Sequence, residues 1–320
     1  TAKPFPASPA LAASMEAFSA SRFVWDAISL IVVIILSISF DASLISCMLD
    51  EATDEILKFR LDDYKFLSSI KAVQNGYLTY CMQEIGGKIY LNRSSVLEKE
   101  KYELREIDER NGKQVGKFLK SDDYNHGWNF PLSLEHSNFY SKNSQSPKYI
   151  GLFSNLIMNV TADGVSAAYI VDSRKFVDKE EVLKMQKIAE GKLEKIDFSG
   201  IYSQKRIHQI SRFIESPSKV FFQYLEGDER NYLVYDKASG KTKTSSLFMD
   251  NYVSDKNMIP MDFCYSDERG VVALLKPCFM PHFIKYIING GKMRTHLDNY
   301  SRLIKLNKDS NPVLFFHEYK

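Results

Sequence analysis

The chain has 320 residues, 44% hydrophobic and 26% charged, a globular balance that excludes wholesale disorder. Lys and Arg number 42 against 40 Asp and Glu, and the resulting net charge of +2 gives nucleic-acid binding no electrostatic support. The 18 Tyr and 21 Phe, beside only 2 Trp, favour pleated sheet, where such rings pack well.

Ala27–Phe40 reads AISLIVVIILSISF, uncharged but shorter than the roughly 20 apolar residues that span a bilayer. It suits the hydrophobic region of a signal peptide; extended past Asp41 to Leu49 it reads instead as a membrane helix. Leu44-Ile45-Ser46-Cys47 resembles a relaxed lipobox, where a peptidase cuts before a cysteine whose thiol takes the lipid. Asp50, Glu51, Asp54 and Glu55 follow at once, like the acidic stretch of some surface lipoproteins. Glu16 and Asp26 beside only Lys3 and Arg22, and Asp41 in the apolar run, depart from the usual signal pattern. The expectation is an N-terminal segment over 1–54 with a hydrophobic signal or anchor helix and Cys47 as the lipid attachment site. That places the chain at the cell envelope, membrane-anchored and periplasmic or surface-facing, with the membrane itself as one partner.

From Glu55 the texture changes to short runs punctuated by turns. Glu55–Leu61 and Tyr64–Ile70 read as strands about Asp62-Asp63, and Asn75-Gly76 introduces Tyr77–Tyr80. Gly86-Gly87 precedes Lys88–Leu91, and Ala162-Asp163-Gly164 joins Leu156–Thr161 to Val165–Val171. Strands this close predict an all-β array over 55–320 rather than alternating βαβ units. Two helices interrupt it. Val177–Lys192 has Asp178 placed as N-cap, Glu180 and Glu181 in the first turn, and Val182, Met185, Ile188 and Ala189 at helical spacing. Pro281–Ile288 is the second. Pro312–Tyr319 reads as a final strand buried on both faces, expected to pair with Glu55–Leu61 or Tyr64–Ile70 so that neither ring end stays open.

One turn recurs. Asp108-Glu-Arg-Asn-Gly112-Lys113 and Asp236-Lys-Ala-Ser-Gly240-Lys241 each follow a strand, with Asp to accept backbone N–H groups and Gly to supply a left-handed residue. The separation of the two suits three propeller blades of about 43 residues each, although the turn is also a common hairpin.

Residues 55–320 resemble the six-bladed β-propeller lipoproteins of Gram-negative gut bacteria, relatives of NHL-type propellers. The resemblance rests on the ending Asp309-Ser310-Asn311-Pro312-Val313-Leu314-Phe315-Phe316, on Phe153-Ser154-Asn155-Leu156-Ile157, and on Ala168-Tyr169-Ile170-Val171-Asp172. It implies a propeller with short helical insertions at the envelope. Family members carry further blades between the lipobox and the region like Glu55, so the resemblance implies either an incomplete ring here or one made up by unusual strands.

The chemistry of catalysis is sparse. No phosphate loop, dinucleotide fingerprint, nucleophile elbow or H-E-x-x-H occurs. Cys47, Cys81, Cys264 and Cys278 form no C-x-x-C, and His136, His208, His282, His296 and His317 lack ligand spacing, so neither metal nor cofactor is expected. Asp62-Asp63 and Asp122-Asp123 read as solvated turn acids, and Asn92 and Asn159 match the glycosylation pattern only weakly. His126, Trp128 and Asn129 form the richest cluster; a loop Trp beside His and Asn suits a sugar or peptide, or else fills the gap between blades. The expected role is an envelope-anchored binding or scaffold propeller for a glycan, peptide or protein. The alternatives are a propeller hydrolase or lyase acting on glycans or lactones, and a membrane-tethered sensor.

Overall fold

A computed structural model describes residues 45–50, 55–60, 65–71, 78–94, 101–128, 139–140, 146–189, 195–246, 262–266, 270–279 and 305–318, with 130, 192, 281 and 302. The hydrophobic run Ala27–Phe40 lies outside these residues, as does nearly all of Pro281–Ile288. Among the described residues no helix is long and apolar enough to cross a membrane.

β1 (Ile45–Asp50), β2 (Glu55–Arg60) and β3 (Phe66–Lys71) form an antiparallel sheet in that order, and they belong to a compact unit of their own. Ile56 is fully buried, and Phe59 meets Phe66 edge-on at 5.7 Å. Pairing begins at Ile45 rather than Glu55, with Cys47 opposite Lys58.

The second unit holds the remaining strands. Blade 2 is β4 (Leu78–Ile85), β5 (Lys88–Ser94), β6 (Tyr102–Asp108) and β7 (Gln114–Lys120). Blade 3 is β8 (Phe139–Tyr140), β9 (Lys148–Tyr149), β10 (Leu156–Thr161) and β11 (Gly164–Ile170). Blade 4 is β12 (Ile207–Glu215), β13 (Lys219–Glu226), β14 (Glu229–Asp236) and β15 (Lys241–Ser245). Blade 5 is β16 (Asp262–Ser266), β17 (Gly270–Leu275) and β18 (Val313–Glu318). Each strand pairs antiparallel with its neighbour in sequence, and the leading strands β4, β8, β12 and β16 pack side by side. Successive up-and-down sheets packed along their first strands make a β-propeller, the fold class expected from the sequence.

Apolar faces meet between blades. Ile85, Tyr90 and Leu104 of blade 2 pack on Phe139, Tyr149, Met158 and Val160 of blade 3. Ile157 of blade 3 packs with Ile210, Phe213, Val220 and Phe222 of blade 4.

The recurring turn is the third-to-fourth-strand hairpin of blades 2 and 4. Asp236 accepts from the Ser239 N–H and hydroxyl, both at 2.9 Å, and Gly240 takes φ +66°. Blades 2 and 4 are two apart, not three, so the reading of about 43 residues per blade is corrected. The long connection 171–206, which carries the predicted helix, accounts for the extra length.

The closure expectation is also corrected. β18 pairs with β17, from Gly270↔Glu318 to Leu275↔Val313, and no described ladder joins it to either candidate: β2 has β1 and β3 on its two sides, and β3 pairs with β2. Burial on both faces fails for the same strand: Phe315 is 8% exposed and Phe316 is 70% exposed. The face carrying Phe315 is covered and the face carrying Phe316 meets solvent. Phe315→Ala should therefore cost about 3 kcal/mol and Phe316→Ala no more than about 0.5 kcal/mol, read from urea unfolding; equal costs would mean that both faces are covered.

Candidate functional site

Antiparallel order sends alternate connections to opposite ends of each blade. One end carries the first-to-second and third-to-fourth turns, as short as Gly86-Gly87 and Ala162-Asp163. The other carries the second-to-third loops and the crossovers 121–138 and 171–206. Long loops on a rigid scaffold are where binding chemistry concentrates. Among the described residues, four non-glycine residues with left-handed backbone, Leu119, His126, Phe153 and Lys205, lie at this loop end, and a fifth, Arg212, sits in a bulge of β12. Such conformations persist only where the surroundings impose them.

The crossover 121–138 opens with α1 (Ser121–Tyr124), and 171–206 carries α2 (Lys179–Ala189) and α3 (Ser199–Ser203). A reciprocal capping box starts α2: Asp178 Oδ1 accepts the Glu181 N–H, and Glu181 Oε2 accepts the Asp178 N–H, both at 2.9 Å. Arg206 grips the same two acids, at 2.8 Å from Glu181 and 3.1 Å from Asp178. Val182, Met185 and Ala189 turn inward onto Trp128, Phe153, Val177 and Ile201, as the helical spacing predicts; Ile188, assigned to the same stripe, is exposed.

The sequence-predicted ligand residues all belong to the crossover 121–138. Trp128 is buried against Phe130 and Phe153 at ring distances of 5.2 and 4.9 Å, with no partner for its indole N–H. It packs with the α2 insertion and with Leu152 and Phe153 of the blade 3 loop. His126 is partly buried and bonded to the backbone of Val177; burial pulls its pKa below the usual imidazole value. Asn129 lies outside the described residues. His126 and Trp128 thus dock the α2 insertion onto the crossover. Asp122 and Asp123 are exposed on α1.

Sequence reasoning missed a carboxylate at the same end. Glu103, near the start of β6, is partly buried as a residue, and its carboxyl is enclosed. Tyr149 O–H and Asn125 Nδ2 donate to it at 2.8 Å, and Asn92 Nδ2 at 3.4 Å while also donating to the Tyr149 hydroxyl. Tyr124 stands beside Tyr149, donates to the Leu156 carbonyl at 3.3 Å and accepts the Gly151 N–H at 2.9 Å. Residue 151 must be glycine, because a Cβ there would lie 2.8 Å from the Tyr124 ring. Asn125 Oδ1 is buried without a donor. Burial lifts the Glu103 carboxyl above the usual range, against the three donors that favour its charged form.

Glu215, between blades 3 and 4, shows the opposite balance. Lys237 reaches it at 2.7 Å, Lys148 at 3.1 Å and Tyr169 at 2.5 Å. Burial pushes its pKa up, but these three partners together hold it below the usual carboxylate range. Among the bonds to Glu103 there is no cation, and its carboxyl is the one suited to holding a proton. No sequence signal marks it, since Lys101-Tyr102-Glu103-Leu104-Arg105 reads as ordinary strand alternation. Asn92, of the first glycosylation pattern, is buried in this network.

Residues 35–273 match the family described as 6-bladed beta-propeller. No curated protein matches the sequence. Among solved structures, a protein from Bacteroides fragilis NCTC 9343 described as exported aligns with a TM-score of 0.60 at 14% identity, over 87% of this chain and 78% of that one. AztD of Citrobacter koseri aligns at 0.33 and 8% identity, over 69% and 47%. The β-propeller domain of Cps50 from Myceliophteria thermophila aligns at 0.30 and 9%, over 74% and 64%. The first of these shares the fold.

Because Glu103 is raised, folding takes up a proton there. Its contribution is full below the ordinary glutamate value of about 4.3 and is lost as pH rises through the folded value. Glu103→Gln cannot ionise, so its melting temperature should improve relative to the natural chain as pH rises above about 4.3. A difference that stays flat with pH would mean that Glu103 is ionised in the folded state. Glu103→Ala strands three donors and should cost at least about 2 kcal/mol.

Proposed function

We propose that this chain, which belongs to the 6-bladed β-propeller family, is an exported binding or scaffold module that takes a glycan, peptide or protein at the loop end of blades 2–4. The asymmetry of the ends carries the reading. Connections of two to seven residues close one end, while the crossovers 121–138 and 171–206 build the other on rigid strands. Tyr124, Tyr149, Asn92 and Asn125 form a buried network with Glu103 that fixes the strands and loops beneath this end. The exposed Asp123 of α1 and Leu183 of α2 offer contact surface around them. A second reading, a hydrolase or lyase on glycans or lactones, is favoured by one observation: a carboxyl with a raised pKa beside a tyrosine hydroxyl has the makings of a general acid.

Screening the full chain on glycan and peptide arrays tests the binding reading. A ligand found there should be weakened by Asp123→Ala or Leu183→Ala and unaffected by Lys241→Ala at the turn end. Loss of binding through Lys241→Ala alone would place the ligand at the wrong end.

The resemblance to envelope lipoproteins supports a lipid anchor at Cys47. Cleavage before it would remove only Ile45 and Ser46 from β1 and keep the pairs from Cys47↔Lys58 to Asp50↔Glu55, so the first sheet tolerates a lipid-bearing terminus. Cys47→Ala should abolish fatty-acid labelling in cells; labelling that persists overturns this assignment.

A further inference from the structure

We propose that His208 is an acid-sensitive latch holding the α3 segment of the crossover 171–206 against blade 4. This inference does not depend on what the loop end binds.

His208 lies near the start of β12, where the pairing with β13 slips: Ile207 faces Glu226 and Gln209 faces Leu225, so His208 is the residue skipped. A bulge of this kind re-aims a side chain. Here the imidazole ends fully buried beneath the rings of Phe198 and Tyr202, at centroid distances of 6.3 and 5.7 Å. Its carbonyl takes the Phe153 N–H at 2.9 Å, which ties the same residue to the second-to-third-strand loop of blade 3. Nδ1 lies 3.4 Å from the Arg206 carbonyl, and Nε2 is buried with no partner.

The charged groups on the surrounding elements are committed elsewhere. Glu181 and Asp178 face Arg206, Glu226 faces Lys175, Glu229 faces Lys205, and Asp197 accepts from Ser199. None of these acids is bonded to the imidazole. A neutral ring needs one hydrogen bond and tolerates an apolar contact at its other nitrogen. A protonated ring has two donors and a full charge, and here it finds one distant carbonyl and no carboxylate. Burying an unpaired charge is expensive, so the charged form favours any arrangement that admits water.

The cover is the part able to yield. α3 has five residues, of which Ile201 is buried, and Tyr202 is 40% exposed. β12, by contrast, is held by the ladder to β13. Burial sets the pKa of His208 below the usual imidazole value, so closure is stabilised above about pH 6.5 and loses that stabilisation as pH falls below it. Acid therefore lifts residues 198–206 and remodels the loop end while the blades stay folded.

Hydrogen exchange on the full chain at about pH 7.5 and about pH 5.5, either side of the ordinary imidazole value and corrected for intrinsic rates, tests the latch. Residues 198–206 should exchange severalfold faster at the lower pH, with β10 and β13 unchanged. His208→Gln and His208→Phe, neutral at both values, should show no such acid response. Equal protection of 198–206 at the two pH values in the natural chain overturns the proposal, as does an undiminished response in a folded variant. Ring titration by NMR in the natural chain reads the same point without a substitution: a His208 midpoint above about 6.5 overturns the proposal.

Discussion

A four-stranded antiparallel sheet has two faces, and in a stack of such sheets only the neighbouring sheet can dry them. Blades 2, 3 and 4 depend on this. Tyr90 and Leu104 have no covering within their own blade and take it from Phe139, Tyr149 and Met158 of the next. Ile157 takes its cover from Phe213 and Phe222 in the same way. Strands as short as β8 and β9 survive because their side chains fill a space already walled on both sides. The polar groups at these seams must then be paired inside the protein, since water cannot reach them.

How each seam meets that demand separates structural from chemically poised groups. Between blades 3 and 4, Glu215 collects two lysines and a tyrosine, and the charge is compensated where it lies. Between blades 2 and 3, Lys88 answers Glu106 at 2.9 Å, with the Tyr90 hydroxyl at 3.3 Å. Glu103 receives neutral donors instead, and without a counter-charge burial prevails over them. The same residue type therefore has opposite proton affinity at two seams, decided by whether a lysine stands within reach.

The crossover 171–206 solves a different problem. A helix placed on a β scaffold must satisfy its own first turn and find an apolar floor. Asp178 and Glu181 do the first reciprocally, Arg206 binds both to the start of blade 4, and Trp128 supplies part of the floor from the preceding crossover. His126 and Trp128, which a linear reading offers to a ligand, are thereby engaged in docking. Among the described residues of the loop end, Asp122 and Asp123 of α1 and Leu183 and Ile188 of α2 are exposed.

Local chemistry was legible from the residues alone. Alternating runs, the Gly86-Gly87 and Asp236–Gly240 turns, the β10–β11 hairpin and the capped helix at 179–189 all follow from interactions spanning a few residues, which a linear string contains in full. The all-β array followed too from closely spaced strands and short turns, while the propeller class rested on the resemblance to a known family. Tertiary structure decided the rest. β18 joins β17, its neighbour in sequence among the described strands, and not the first sheet, where β2 is flanked on both sides. Phe315 and Phe316 are the same residue type side by side, yet only a neighbouring surface could bury one and leave the other in water. Glu103 looks in sequence like any charged strand residue; its proton affinity arises from Asn92, Asn125 and Tyr149, brought to it from separate parts of the chain. Burial and compensation of charge belong to the surroundings of a group, and the surroundings exist only once the blades have packed.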